Sequence, residues 1–223
     1  MRKVVVGTFL TLDGVMQAPG GQDEDRSGGF AHGGWVVPYF DEMMGQAMVE
    51  WIRRLDALVL GRRTYEIFAA HWPRVTSEDP IADRFNHVPK YVASRTLERA
   101  NWGPATVLAA DLPEAIRKLK SEPGSGELQV HGSGNLIQTL LKHGVIDELR
   151  IWTFPLVLGS GKRLFADGAV PAKFELTDNR MSTTGVALHV YHAAGVPTYG
   201  SFQLGEESGE EFAQKWRKGA SVG

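Results

Sequence analysis

Short apolar runs alternate with amphipathic stretches along most of the chain, and the alternation predicts strands and helices in turn. Residues 4–10 are β-branched or apolar on both faces, the pattern of a strand buried inside a sheet. A glycine-rich connection from 11 to 38 follows, with Asp23, Glu24 and Asp25 in its middle; connections of that length inside a domain commonly carry function. From 41 to 55, Met43, Met44, Ala47, Met48, Trp51, Ile52 and Leu55 share one face at helical spacing, which predicts a helix with its methionines in the core. Further strands are predicted at 57–60, 90–93, 106–108, 128–131 and 149–154. Between them lie helices at 64–70, 81–87, 111–120 and 135–143. Asp111 and Glu114 have capping-box spacing, and Gly144 serves as a stop. Residues 174–176 and 186–191 read as a terminal antiparallel pair, the second alternating Val186, Leu188 and Val190.

This order predicts an α/β fold in three layers: a central, mostly parallel sheet, antiparallel strands at one edge, and helices on both faces. The folded domain is expected over 1–194. Residues 195–223 form a polar tail, with 206–218 either a frayed helix or solvated chain.

Composition acts mainly by exclusion. There are no cysteines, which removes disulfides, thiolate catalysis and cysteine–zinc sites. The net charge of -2 argues against nucleic-acid and membrane surfaces, so a small molecule is the expected partner. No apolar run approaches the roughly 20 residues of a membrane helix. The chain opens on a strand, Val4-Val5-Val6, where a signal peptide would have its charged and apolar regions, and a cytoplasmic location is expected. The 7 histidines lack His-Glu-x-x-His spacing, no Gly-x-Ser-x-Gly elbow occurs, and no metal site is expected. Residues 155–162 approximate a P-loop, but Leu156 and Arg163 stand where that motif needs glycine and a hydroxyl.

Candidate chemistry gathers at three strand exits. Gly61-Arg62-Arg63-Thr64 joins a strand to a helix, with glycine permitting close backbone approach and Arg62 able to give a phosphate two parallel N–H bonds. Ser94-Arg95-Thr96 follows the next strand and flanks a guanidinium with hydroxyls. His131-Gly132-Ser133-Gly134-Asn135 is a glycine turn opening a helix, suited to a pyrophosphate through backbone N–H groups and the helix dipole. It is not the Rossmann fingerprint, since Ile137 stands at the third glycine. In a parallel sheet these exits share one edge, which suggests one ligand with several phosphates; Arg62 and Arg95 fit an added 2′-phosphate. Thr11-Leu12-Asp13-Gly14 closes the first strand, where Asp13 is either a turn residue or a group facing the reaction.

Taken together with Pro155-Leu156-Val157-Leu158-Gly159-Ser160-Gly161, these motifs resemble the dihydrofolate reductase-like family, and within it the reductase domain of the riboflavin-biosynthesis deaminase-reductase. The resemblance spans about 2–192. It implies an NADPH-dependent reductase, often a homodimer, acting on a C=N or C=O bond of a small heterocyclic or carbonyl compound. It places Gly61, Arg62 and Thr64 at the adenosine ribose phosphate, with Ser94 and Arg95 opposite. Gly132, Ser133, Gly134 and Asn135 would hold the pyrophosphate. Thr11, Asp13 and Gly14 would border the nicotinamide, with Asp13 as candidate proton donor, and Leu158 and Gly159 would flank the cofactor cleft. Met16, Trp35 and Phe40 are expected over the substrate. A dihydrofolate reductase carries an acid on its first helix at the position of Gly45, which makes dihydrofolate a poor match. Two other classes stay open: a nucleotide-sensing module without turnover, and a hydrolase or isomerase of a phosphorylated sugar.

Overall fold

The computed structural model describes residues 1–75, 78–109, 111–165 and 168–201, together with Ala213, Gln214 and Arg217. Most of the stretch 206–218, read above as a frayed helix or tail, lies outside the described residues. Eight strands form one sheet: β1 (Lys3–Thr11), β2 (Leu55–Gly61), β3 (Lys90–Ala93), β4 (Ala105–Leu108), β5 (Glu127–His131), β6 (Glu148–Phe154), β7 (Phe174–Met181) and β8 (Ala187–Ala193). Their spatial order is β4-β3-β2-β5-β1-β6-β8-β7. The first six run parallel, while β8 pairs antiparallel with both β6 and β7.

Among the described residues, five α-helices cover the sheet: α1 (Glu42–Ile52), α2 (Arg62–His71), α3 (Pro80–His87), α4 (Leu112–Ser121) and α5 (Gly134–Lys142). Strand alternation sorts them into two layers. Val4, Val6, Ala57 and Val59 pack against Ile116 and Leu119 of α4 and Leu136, Ile137 and Leu140 of α5. On the opposite face, Leu58, Leu60 and Val92 meet Ile52, Tyr65 and Phe85, while Trp152 and Phe154 meet Met44, Ala47 and Trp51. The expected three-layer α/β fold is therefore the fold found.

Two boundaries differ from the sequence pattern by three residues or more. The helix expected to reach residue 55 stops at Ile52, because Leu55 already pairs with Glu127 as the first residue of β2. β7 runs on to Met181 instead of ending at 176; as the edge strand it leaves most side chains in solvent, so its Thr177-Asp178-Asn179-Arg180 run shows no apolar alternation.

Lys90 gives the fold a pH signature. Its side chain is fully buried at the start of β3, donates from Nζ to the Asn86 carbonyl at 2.8 Å, and stands 4.5 Å over the Trp102 ring. Burial lowers its pKa to about 8. Between that value and the ordinary lysine range the unfolded chain holds a proton that the folded chain has released, so stability rises with pH across the window. The expected gain is on the order of 3 kcal/mol. Thermal melts from pH 7.5 to 10.5 should show this rise in the wild type and its loss in Lys90→Met; parallel curves for the two proteins would refute it.

Candidate functional site

The exits of the parallel strands open into one cleft of about 1600 Å³. Gly61, Arg62, Thr64, Ser94, Arg95 and the turn from Gly132 to Asn135 all line it, so the three turns separated in sequence converge as the parallel topology requires.

Helix capping distinguishes the helices that open onto these turns. Asp41, Asp79 and Asp111 cap α1, α3 and α4 through their carboxylates. Neither Gly61, before α2, nor Ser133, before α5, makes a side-chain cap. The first-turn N–H groups of α5, from Gly134, Asn135 and Leu136, take no partner among the described residues. Two adjacent N-termini without side-chain caps on one cleft have the chemistry an anion needs. The turn itself is braced: Gly61 N donates to Ser133 Oγ at 3.0 Å, Ser133 Oγ donates to the His131 carbonyl at 2.9 Å, and Ser133 N donates to Thr64 Oγ1 at 3.1 Å. Gly132 is left-handed at φ +54, which favours glycine, and a Cβ there would lie a tight 3.2 Å from Thr64 Oγ1.

Arg62 is exposed; its Nε donates to Glu66 Oε1 at 2.7 Å and its NH1 to Thr96 Oγ1 at 2.8 Å, tying α2 to the turn after β3. Arg95 stands in that turn, exposed on the same cleft. Ser94 Oγ accepts from Thr96 N and Leu97 N, so its hydroxyl shapes the turn.

The Thr11-Asp13-Gly14 group sits beside the cleft, outside its wall. Thr11 Oγ1 donates to Asp13 Oδ1 at 2.6 Å, Leu158 N to the same oxygen at 3.2 Å, and Gly159 N to Oδ2 at 2.9 Å. Those bonds, that from Thr11 foremost, lower the Asp13 pKa to about 2. Asp13, Gly14, Leu158 and Gly159 thus form a clamp between the exits of β1 and β6, and a carboxylate so held carries no proton to give near neutral pH.

The substrate-side expectations divide. Met16 lines the cleft, with its Sδ 3.2 Å from where a Cβ on Gly134 would lie, against the phosphate turn. Trp35 is displaced from its expected role: it is buried, packs edge-on against Phe154 at 5.2 Å, and donates from Nε1 to the Gln17 carbonyl. Phe40 lies half-exposed over Gly45, in a shallow hollow away from the cleft. Both are drawn off by the core and by the start of α1. The cleft's aromatic wall comes instead from Phe9, Trp51, Phe68, Trp72, Phe85 and Trp152. The Trp72 Nε1–H is buried without a partner among the described residues, a donor open to an acceptor.

His131, at the end of β5, is the polar group of this half. Gln129 Nε2 donates to the Trp51 carbonyl at 2.9 Å and to Glu127 Oε2 at 2.8 Å, which turns its Oε1 toward His131 Nε2, 3.1 Å away. That oxygen can only accept, so His131 Nε2 carries the proton and Nδ1 presents a lone pair. Burial, with the Arg150 charge nearby, lowers the His131 pKa to about 4 and keeps the ring neutral at pH 7. Gly7 on β1 leaves space above it; a Cβ there would lie 3.6 Å from Nδ1. The signal for this residue was present in the sequence as a polar stripe, Glu127, Gln129 and His131, at alternate positions of a strand whose other residues, Leu128 and Val130, are apolar.

A family model, the RibD C-terminal domain, matches residues 2–190. The chain belongs to the RibD C-terminal domain family. As a member it is a reductase-like domain. The uncharacterized protein YyaP of Bacillus subtilis is 27% identical over 199 residues, covering 87% of this chain and 96% of its own. Two solved structures share the fold of this RibD C-terminal domain. A putative riboflavin biosynthesis protein from Shewanella sp. PV-4 superposes with TM-score 0.62 at 21% identity, covering 86% of this chain and 99% of its own. Dihydrofolate reductase from Enterococcus faecalis, solved with NADP(H), superposes with TM-score 0.53 at 14% identity, covering 86% and 96%. The dihydrofolate reductase-like fold expected from the motifs is thereby found.

Proposed function

We propose that this RibD C-terminal domain is an NADPH-dependent reductase that places a hydride on a C=N or C=O bond of a small planar heterocycle. The observation that carries it is the joining of two unlike halves in one cleft: uncapped α2 and α5 with Arg62 and Arg95 on one side, aromatic rings with His131 on the other. The N-termini and Gly132–Asn135 turn suit a pyrophosphate, and the two arginines suit the additional ribose phosphate. When bound, NADPH supplies the hydride. The aromatic rings hold the acceptor flat and exclude water, and His131 Nδ1 accepts from an N–H or O–H at the substrate's edge. Asp13 fixes the loop after β6 in this reading, and water supplies the proton. From α1 the cleft receives Met48, Trp51 and Ile52, none a carboxylate, which sets the site apart from that of dihydrofolate reduction. A homodimer in the cytoplasm, bound to neither nucleic acid nor membrane, completes the proposal.

The test is a panel of imines, ketones and oxidised heterocycles with NADPH deuterated at C4. Deuterium in the product establishes direct hydride delivery; NADPH binding with no deuterated product from any member would turn the reading toward a sensing module. In the same assay Asp13→Asn should lower the melting temperature while leaving the pH profile of turnover intact. Loss of a limb of that profile would return Asp13 to the role of proton donor.

A further inference from the structure

The long connection after β1 carries an anion into the cleft. Asp25 lies with its carboxylate largely buried, 12% exposed, between two cations from distant parts of the chain. Lys162 Nζ donates to Asp25 Oδ2 at 2.5 Å, and Arg63 NH1 to Asp25 Oδ1 at 3.4 Å. Both cations also donate to Ser27 Oγ, each at 2.8 Å. Gln17 ties this turn to the loop after β6: its Nε2 donates to the carbonyls of Asp25 and Ser27, and its Oε1 accepts from Lys162 N. Burial alone would raise the Asp25 pKa, yet the bonds from Lys162 and Ser27 hold it below its ordinary value.

Topology says what this turn crosses. Arg63 belongs to the first turn of α2, which follows β2, and Lys162 lies after β6. In the sheet β5 and β1 stand between β2 and β6. Three inter-strand spacings amount to about 14 Å, so the Asp25 bridge spans the exit of β5, where the Gly132–Asn135 turn and the open N-terminus of α5 lie. Asp25, Arg63 and Lys162 all line the same cleft as that turn. A carboxylate is therefore held by two cations in the same cleft as the turn suited to a ligand's phosphates.

We propose that Arg63 and Lys162 form a diphosphate subsite above the Gly132–Asn135 turn and that Asp25 is its internal occupant, exchanged for the ligand's phosphates on binding, so that binding releases the 25–27 turn. The subsite would take a pyrophosphate linkage, the chemistry shared by free pyrophosphate and a dinucleotide. This deepens the reductase reading and rests on it for the identity of the natural ligand. The Arg63 and Lys162 side chains are themselves half-exposed, so water can take up their charge while the carboxylate and a phosphate exchange.

Inorganic pyrophosphate is the probe, titrated by calorimetry into wild type, Asp25→Asn and Asp25→Asn/Lys162→Met. Asp25→Asn should bind about three- to tenfold more tightly than wild type, and the added Lys162→Met should reverse the gain. In a second, wild-type measurement, trypsin cleavage after exposed Arg26 should quicken when pyrophosphate saturates. Unchanged or weaker pyrophosphate binding by a folded Asp25→Asn, or slower cleavage at Arg26 on saturation, overturns the exchange. Tighter binding by Asp25→Asn in a protein that transfers no hydride would sink the reductase reading and leave the exchange standing. NADPH turnover without any gain in Asp25→Asn would do the reverse.

Discussion

Arg62→Ala/Arg95→Ala is expected to abolish a preference for NADPH over NADH of about 100-fold, with little change in affinity for NADH. The two guanidiniums stand at neighbouring strand exits on one cleft, and both are exposed, so neither is locked into the core. A charge-assisted hydrogen bond to a phosphate contributes roughly 1.5–3 kcal/mol, and losing one from each arginine removes about two orders of magnitude. Arg62 now spends its donors on Glu66 and Thr96, which positions the guanidinium without burying it. Alanine at either position leaves no unpaired buried group behind, so the melting temperature should move by no more than a degree or two. Fluorescence titrations of both nucleotides against wild type, single and double variants measure the effect, and the NADPH preference should shrink as salt rises. Equal affinity of the wild type for the two nucleotides would remove the 2′-phosphate from the site.

The second large effect lies beneath the cleft. Arg150→Met is expected to destabilise the protein by about 3–5 kcal/mol. Arg150 is 2% exposed and completes a buried network: NH1 and NH2 clasp Glu127 at 2.9 and 2.7 Å, Nε donates to Glu148 at 2.7 Å, and the guanidinium lies 4.8 Å from the Trp51 ring. Methionine fills the volume but leaves two buried carboxylates side by side, Glu127 with Gln129 at 2.8 Å, Glu148 with His192 at 3.1 Å, and Arg54 and Lys3 at 3.9 Å. At this chain length the loss corresponds to a fall in melting temperature of roughly 10 °C. Arg150→Met/Glu127→Gln/Glu148→Gln should recover at least half of it, because neutral amides need less solvation than stranded charges. Calorimetric melts of both variants decide the matter; a single variant within 1 kcal/mol of wild type would mean that water reaches the network. The same substitution should also weaken substrate binding, since Glu127 orients Gln129 and Gln129 sets the tautomer of His131.

Elements with a strong pattern and a fixed partner were legible from the chain itself. The strand at 90–93 appears with those bounds, and the helices at 81–87 and 135–143 within a residue, because apolar periodicity, an Asp cap or a glycine stop mark them locally. The three turns were legible for the same reason: glycine and hydroxyl residues after a strand announce where a sheet edge will be. Trp51 was read as core from helical spacing, and it does pack against Trp152 at 5.3 Å, yet it also lines the cleft. Spacing identifies a face of a helix but not what the face meets.

The sequence alone determined the α/β class, the position of the phosphate-friendly turns and the family, because each element and motif is marked by residues within a few positions of one another and their order along the chain does the rest. Only the tertiary structure decided the rest. It joined Asp25 to Arg63 and Lys162 past the two intervening strands β5 and β1, tied Asp13 to the loop after β6, and set His131 on the cleft floor. Those placements depend on strand order and on which face each side chain takes, and contacts between segments distant in the chain leave no periodic trace in it.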